Sequence, residues 1–140
     1  NVRMGDPECQ VILPRLKTDL LKIIKFSIEN NLKNINIKWS KEKSMTIVLC
    51  SKGYPGKYGK NILINNFKNL KENKKDFVYH AGTKIINGKL LSVGGRVLNF
   101  TSSGNNLLRV REKIIKMIKK LKWKDGFFRK DIGWKILDKK

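Results

Sequence analysis

Cysteine, histidine, proline and acidic residues are all scarce in this chain, and each scarcity removes a class of function. The two cysteines, Cys9 and Cys50, are too few and too far apart for a disulfide framework or a thiolate zinc site. A single histidine, His80, rules out multi-histidine metal sites. No apolar run is long enough to span a membrane, and no secretory signal opens the chain, so a reduced cytoplasm is the expected compartment and no membrane the expected environment. An initiator methionine is also missing. The chain opens on Asn1-Val-Arg-Met-Gly-Asp-Pro-Glu-Cys-Gln10, in the middle of what reads as a motif, and is expected to be a piece of something larger.

Positive charge is abundant. Thirty-two Lys and Arg against eleven Asp and Glu give a net charge of +21. Such a balance normally points to nucleic acid. Lysine, however, outnumbers arginine about four to one, whereas readers of bases and phosphates use arginine's bidentate fork. Lysine, asparagine and isoleucine are also raised together along the whole chain, which fits AT-rich codon usage better than a selected patch. The expected outcome is a basic, solvated surface with no specific nucleic-acid partner. A basic nucleic-acid-binding module derived from an enzyme domain remains the alternative.

With 140 residues, 40% of them apolar, the chain is one domain's worth and can bury roughly two thirds of its unfolded surface. Pro14 suits a first helical position, and Leu16, Leu20, Ile23, Ile24 and Ile28 follow at helical spacing. Alternation at Ile35, Ile37 and Trp39 and the β-branched run Met45–Cys50 predict two strands. Ser51–Gly56 is a turn. Phe77–Ala81, Lys89–Val93 and Arg96–Phe100 read as further strands, with Asn87-Gly88 as a hairpin signal between the first two. Leu107, Val110, Ile114, Met117, Ile118 and Leu121 line a second amphipathic helix entered through Asn105-Asn106. Its basic residues, Arg109 to Lys120, read as a solvated face. Phe127, Phe128 and Trp134 are expected to anchor the tail. The fold class is α+β, an antiparallel sheet with two amphipathic helices laid against it.

Chemistry concentrates at the start. Asn1, Arg3, Asp6 and Glu8 surround Gly5 and Pro7 in a segment too irregular for a buried strand. Hard oxygen donors of this kind suit magnesium together with phosphate oxygens and water, and a nearby guanidinium can balance charge on a phosphoryl group in flight. An ordinary polar loop before a helix is the competing reading. His80 reads as a packed strand-end residue rather than a base. Gly94-Gly95 is a turn or bulge and not a phosphate loop. Arg96 beside it either meets a ligand phosphate or forms an internal salt bridge with an acid such as Asp131.

Asn1-Val-Arg-x-Gly-Asp-Pro-Glu-x-Gln10 resembles the end of the ATP-grasp domain in the phosphoribosylamine–glycine ligase family. The resemblance continues in family order through Leu13-Pro-Arg-Leu16, Ser51-x-Gly-Tyr-Pro-Gly56, His80-Ala-Gly-Thr83, Gly94-Gly-Arg-Val-Leu98 and Arg129-x-Asp-Ile-Gly133, covering nearly all of the chain. It implies that residues 1–12 are the last strand and loop of an ATP-grasp domain and that 13–140 are the ligase's C-terminal domain. It further implies an ATP-dependent ligase of purine biosynthesis that joins glycine to 5-phosphoribosylamine, with ATP as co-substrate and magnesium or manganese as the metal. By the same match Asn1 is the metal ligand, Arg3 the catalytic arginine, and Asp6, Pro7 and Glu8 the substrate-side loop; Arg96, from its own setting beside Gly94-Gly95, is a further substrate-binding candidate. The family's second metal ligand, a glutamate two residues before that asparagine, falls ahead of Asn1. The chain is therefore expected to bind magnesium negligibly and to be inactive alone, its partners being glycine, 5-phosphoribosylamine, ATP and the upstream remainder of the ligase. One departure stands out: where the family tends to have glycine after the Gly-Tyr-Pro loop, this chain has Asn65-Asn66, and asparagine tolerates a positive backbone angle.

Overall fold

Two nine-residue strands, β1 (Lys43–Ser51) and β6 (Arg96–Gly104), form the spine of the molecule in the computed structural model, which describes residues 2–70 and 73–137. They pair antiparallel, Ile47 facing Phe100 and Leu49 facing Leu98. β3 (Asp76–His80) adds to the far side of β6, and the two-residue β7 (Gly126–Phe127) adds to β1, giving the order β3-β6-β1-β7. A smaller sheet is built from β2 (Ile62–Leu63), β5 (Lys89–Ser92) and β4 (Thr83–Ile86), in that order. The α+β class is as expected.

Side chains alternate across a strand, so the main sheet has two different faces. Met45, Ile47, Leu49, Val78, Leu98 and Phe100 are all buried and share one face. Over them lies α3 (Leu107–Leu121), contributing Val110, Ile114, Ile118 and Leu121. This helix starts where the Asn106 side chain accepts from the Arg109 amide, satisfying a donor that has no intrahelical partner. Its lysines at 113, 116, 119 and 120 are exposed, the solvated face that the spacing predicts. The opposite sheet face carries Thr46, Val48, Cys50, Asn99 and Thr101 and is far more polar.

Several expectations need correction. Ile35–Trp39 is not a strand; Trp39 makes only an isolated bridge with Leu16, and it is half exposed. The end of the segment is hydrogen-bonded only to the stretch 15–18 and joins neither sheet. The Asn87-Gly88 turn is real, both residues having positive φ, but it joins β4 to β5; Thr83–Ile86, absent from the sequence reading, supplies the strand before it. Among the described residues of 2–12 there is no strand. The segment is irregular and then forms the short helix α1 (Glu8–Ile12). Trp134 is 52% exposed and anchors nothing in the core, whereas Phe128 packs against it. Asn66 does adopt the left-handed conformation, φ 60°, in place of glycine.

The predicted first helix exists only from Leu20, as α2 (Leu20–Ile28), capped by Asp19, whose carboxylate accepts from the Leu21 and Lys22 amides; Pro14 instead sits in a separate 3-10 turn, Leu13–Arg15, and Leu16 is extended. The helix does not lie against the sheet. None of its residues is buried, and Leu21 and Ile28 are 74% and 77% exposed.

One carboxylate is buried against the α3 side of the sheet. Asp76 accepts from the Ser102 hydroxyl and from Asn73 Nδ2, with Lys113 at 3.8 Å. Burial alone would push its carboxyl up, but these hydrogen bonds, with the charges of Lys113 and Lys75, hold it below the usual carboxylate range. A depressed native value contributes stability above the ordinary carboxylate range, and that contribution is lost as pH falls through the native value. Asp76→Ala is therefore expected to cost about 1–3 kcal/mol at pH 7 by urea denaturation, since it also strands the fully buried Ser102 hydroxyl. The gap between variant and parent should narrow as the pH is lowered below the ordinary carboxylate range.

Candidate active-site rim

The sequence scatters its candidate residues over more than ninety positions; the fold brings Asp6, Pro7 and Arg96 together at the polar face of the main sheet. Asp6 is the meeting point. Its Oδ1 accepts from Asn99 Nδ2 at 3.0 Å and from Gln10 Nε2 at 2.9 Å. The Arg96 guanidinium donates to the Asp6 backbone oxygen at 2.8 Å and lies 3.4 Å from its Oδ2. Arg96 thus forms an internal salt bridge with Asp6. Asp131, the acid expected from sequence, is taken by Arg129, whose guanidinium binds it through two nitrogens; that pairing, led by the hydrogen bond from Arg129, lowers the Asp131 carboxyl below its ordinary value.

Around Asp6 the loop is compact. Glu8 Oε2 accepts from the Gly5 amide at 2.9 Å, and the Cys9 amide donates to Gly5 O at the same distance. Glu8 is spent on holding the loop's own turn. Arg3 is exposed, donates only to the neighbouring Met4 carbonyl, and has no ion-pair partner among the described residues. Its guanidinium is free to meet an anion. Asn1 lies outside the described residues.

Pro7 packs over the sheet's polar face and lines a cleft of about 380 Å³ with Val48, Cys50, Tyr54, Phe127 and Ile132. Burial raises the Cys50 thiol above its ordinary value, with Arg96 opposing, so Cys50 is neutral at pH 7 and no nucleophile. The Gly-Tyr-Pro turn depends on Gly53, held at φ +98°. Ser51, at the head of the turn, fastens it to the Gly-Gly-Arg loop twice: its Oγ donates to Gly94 O at 2.8 Å, and its amide donates to Gly95 O at 2.8 Å. A Cβ at Gly95 would stand 2.0 Å from the Tyr54 ring, so only glycine lets the two loops close together. His80 is exposed, its Nδ1 hydrogen-bonded to Thr83 Oγ1 at 2.8 Å and its ring tilted on Phe67. It stands apart from this cluster.

Among the described residues no group of three or more His, Cys, Asp or Glu is placed to hold a metal ion. Asp6, the one carboxylate at the centre, is already engaged by three donors. The described residues therefore do not make a metal site by themselves.

An α+β domain with its signature loops gathered beside a short N-terminal segment is the class that this arrangement defines. Residues 44–135 match the family model described as phosphoribosylglycinamide synthetase, C domain, and the chain belongs to that family. It is 44% identical over 137 residues to the phosphoribosylamine–glycine ligase of Agrobacterium fabrum, covering 98% of this chain and 32% of that one. The chloroplastic phosphoribosylamine–glycine ligase of Arabidopsis thaliana is 40% identical over 142 residues, covering 100% of this chain and 27% of its own length. The crystal structure of phosphoribosylamine–glycine ligase from Thermotoga maritima superposes with a TM-score of 0.70 at 25% identity, over 94% of this chain and 32% of that one. The chain thus spans about a third or less of the length of these relatives. The comparisons lend no support to a nucleic-acid-binding module, and no described helix is long and apolar enough to cross a membrane.

Asn99 is the residue the sequence reading missed. Its signal was there: one amide in the middle of the buried run Val97-Leu-Asn-Phe-Thr101, where a side chain needs a polar partner.

Proposed function

We propose that this chain supplies the C-terminal domain of a phosphoribosylamine–glycine ligase, residues 13–140, together with the closing loop of its ATP-grasp domain within 1–12. The observation that carries the reading is Asp6, which ties the Arg3–Glu8 loop to Arg96 and Asn99 of β6. The two motifs, ninety residues apart, form one rim.

In this reading ATP phosphorylates the carboxylate of glycine, and the amine of 5-phosphoribosylamine attacks the acyl phosphate. Glycinamide ribonucleotide, ADP and phosphate leave. A carboxylate is a poor electrophile until one oxygen becomes part of a phosphate leaving group, so the first transfer needs positive charge beside the moving phosphoryl. Arg3 supplies it, exposed and unpaired at the head of the loop. Asp6 fixes the loop. Pro7 forms the wall of the cleft and Glu8 stiffens the turn. Arg96 anchors Asp6 and keeps enough exposed guanidinium to meet a substrate phosphate. Magnesium or manganese bound with ATP supplies further charge neutralisation when present; Asn1 is its proposed ligand here. The adenine pocket and the other metal ligand come from outside these 140 residues. With Cys9 and Cys50 both free thiols, the cytoplasm suits the chain.

The uncovered apolar face of α2 supports the reading. Four large aliphatic side chains, Leu20, Leu21, Ile24 and Ile28, are exposed on one short helix, which is what a helix shows when its packing partner is another domain.

The test is a chimera joining the front two thirds of the Agrobacterium fabrum ligase to this chain. Glycine- and phosphoribosylamine-dependent ADP release from the chimera is expected, with none from the chain alone. A folded chimera that releases no ADP would overturn the proposal. A companion prediction concerns α2: Leu21→Glu with Ile28→Glu should leave the melting of the isolated chain within about 0.5 kcal/mol of the parent, as for exposed sites. The same pair should lower the chimera's activity and its yield of soluble protein.

A further inference from the structure

We propose that Asn99 is the positioning residue that sets where Arg3 stands, acting through Asp6. Three side chains reach Asp6, and they differ in what they can transmit. Gln10 is four residues away on α1; its bond stiffens the segment locally and connects it to nothing else. Arg96 reaches from the first residue of β6, donating to the Asp6 backbone oxygen at 2.8 Å and lying 3.4 Å from Oδ2, but its side chain is 44% exposed, and contacts so open to solvent are weakened by water and salt. Asn99 is 1% exposed. It sits in the middle of β6, in register with Val48 of β1 on one side and Tyr79 of β3 on the other. Its backbone is therefore the most rigidly held of the three, and its 3.0 Å bond to Asp6 Oδ1 is part-buried, its donor end lying inside the sheet.

From that fixed point the loop runs back through a turn closed by Glu8 and by the Cys9 amide. Arg3 lies three residues before Asp6 and holds nothing but the Met4 carbonyl. Its place is set by the tether and not by contacts of its own. Reaction rates respond steeply to such placement, because a displaced guanidinium no longer faces the charge that develops in transfer.

The kinetic half of the proposal rests on the ligase reading; the tether itself does not. Amide exchange on this chain tests the tether. Asn99→Leu keeps the branched shape of the side chain, with bulkier methyl groups, and removes the donor; it should quicken exchange at Gly5 and Cys9 by at least about tenfold, the factor that a hydrogen bond to a charged group is worth. Amides of β1 and of β6 away from the site should be unchanged. Asn99→Asp sets a second carboxylate against Asp6 and should release the loop as well. Adding Asp6→Asn to Asn99→Asp exchanges donor and acceptor and should restore protection, which a merely structural role for position 99 would not produce. Protection equal to the parent in both single variants, or no recovery in the swapped pair, overturns the tether. In the chimera, Asn99→Leu should lower kcat about tenfold or more with KM for ATP unchanged, and the swapped pair should regain it. An unchanged kcat overturns the positioning role. A chimera inactive with Asn99 in place counts against the ligase reading, while the exchange data still decide the tether.

Discussion

Arg3→Ala in the chimera is expected to lower kcat about a thousandfold, in the range seen when a guanidinium facing a transferring phosphoryl is removed. KM for ATP should change little, since the adenine pocket lies elsewhere in the proposed enzyme. The structure makes this a clean experiment. Arg3 is exposed, and its one hydrogen bond is to the adjacent carbonyl, so the fold loses nothing when it goes and the melting temperature should match the parent. Arg3→Lys should recover only part of the loss, because an ammonium is a point charge without the planar fork. A decrease in kcat of less than tenfold for the alanine variant would remove Arg3 from the mechanism.

The second large effect is on folding. Phe100→Ala is expected to destabilise the chain by about 3–5 kcal/mol in urea denaturation. Phe100 has no exposed surface and faces Ile47 on one neighbouring strand and Val78 on the other, under α3. No nearby element can move in to fill the space, because the central strand is held on both sides. Against a typical total of 5–15 kcal/mol, a loss of this size leaves much of the chain unfolded at physiological temperature. A change below 1 kcal/mol would mean that α3 does not seal this face.

The elements legible in the sequence were those whose partners lie close by or whose pattern is long. α3 announces itself through fifteen residues with a continuous apolar stripe, β1 through a β-branched run, and β6 through the run Arg96–Phe100 that follows the Gly94-Gly95 break. The turn residues were read correctly at Asn87-Gly88 and Asn66, where a positive backbone angle is a local matter. What failed was pairing. Ile35, Ile37 and Trp39 alternate as a strand does, yet alternation states only which side chains share a face; a strand also needs a continuous partner, and this segment finds only the single bridge to Leu16. Thr83–Ile86 was passed over because all but one of its residues are exposed, and the sequence shows no buried face to announce it. At the site, the resemblance picked out Asp6 and Arg96 separately. Nothing in the sequence says that they touch. Arg129 stands two residues from Asp131 and claims it, leaving Arg96 to a carboxylate ninety positions upstream.

The contact between Gly95 and the Tyr54 ring has a mechanical meaning. With no room for even one extra carbon between them, the Tyr-Pro turn and the loop that precedes Arg96 behave as a single rigid bracket. Shifting either hinge of that bracket drags the other along. An engineer wishing to widen the cleft beside Pro7 could not do so from position 95 without also disturbing the strand that holds Asp6. Gains in substrate breadth sought there should arrive coupled to losses in loop order, whichever residue is introduced.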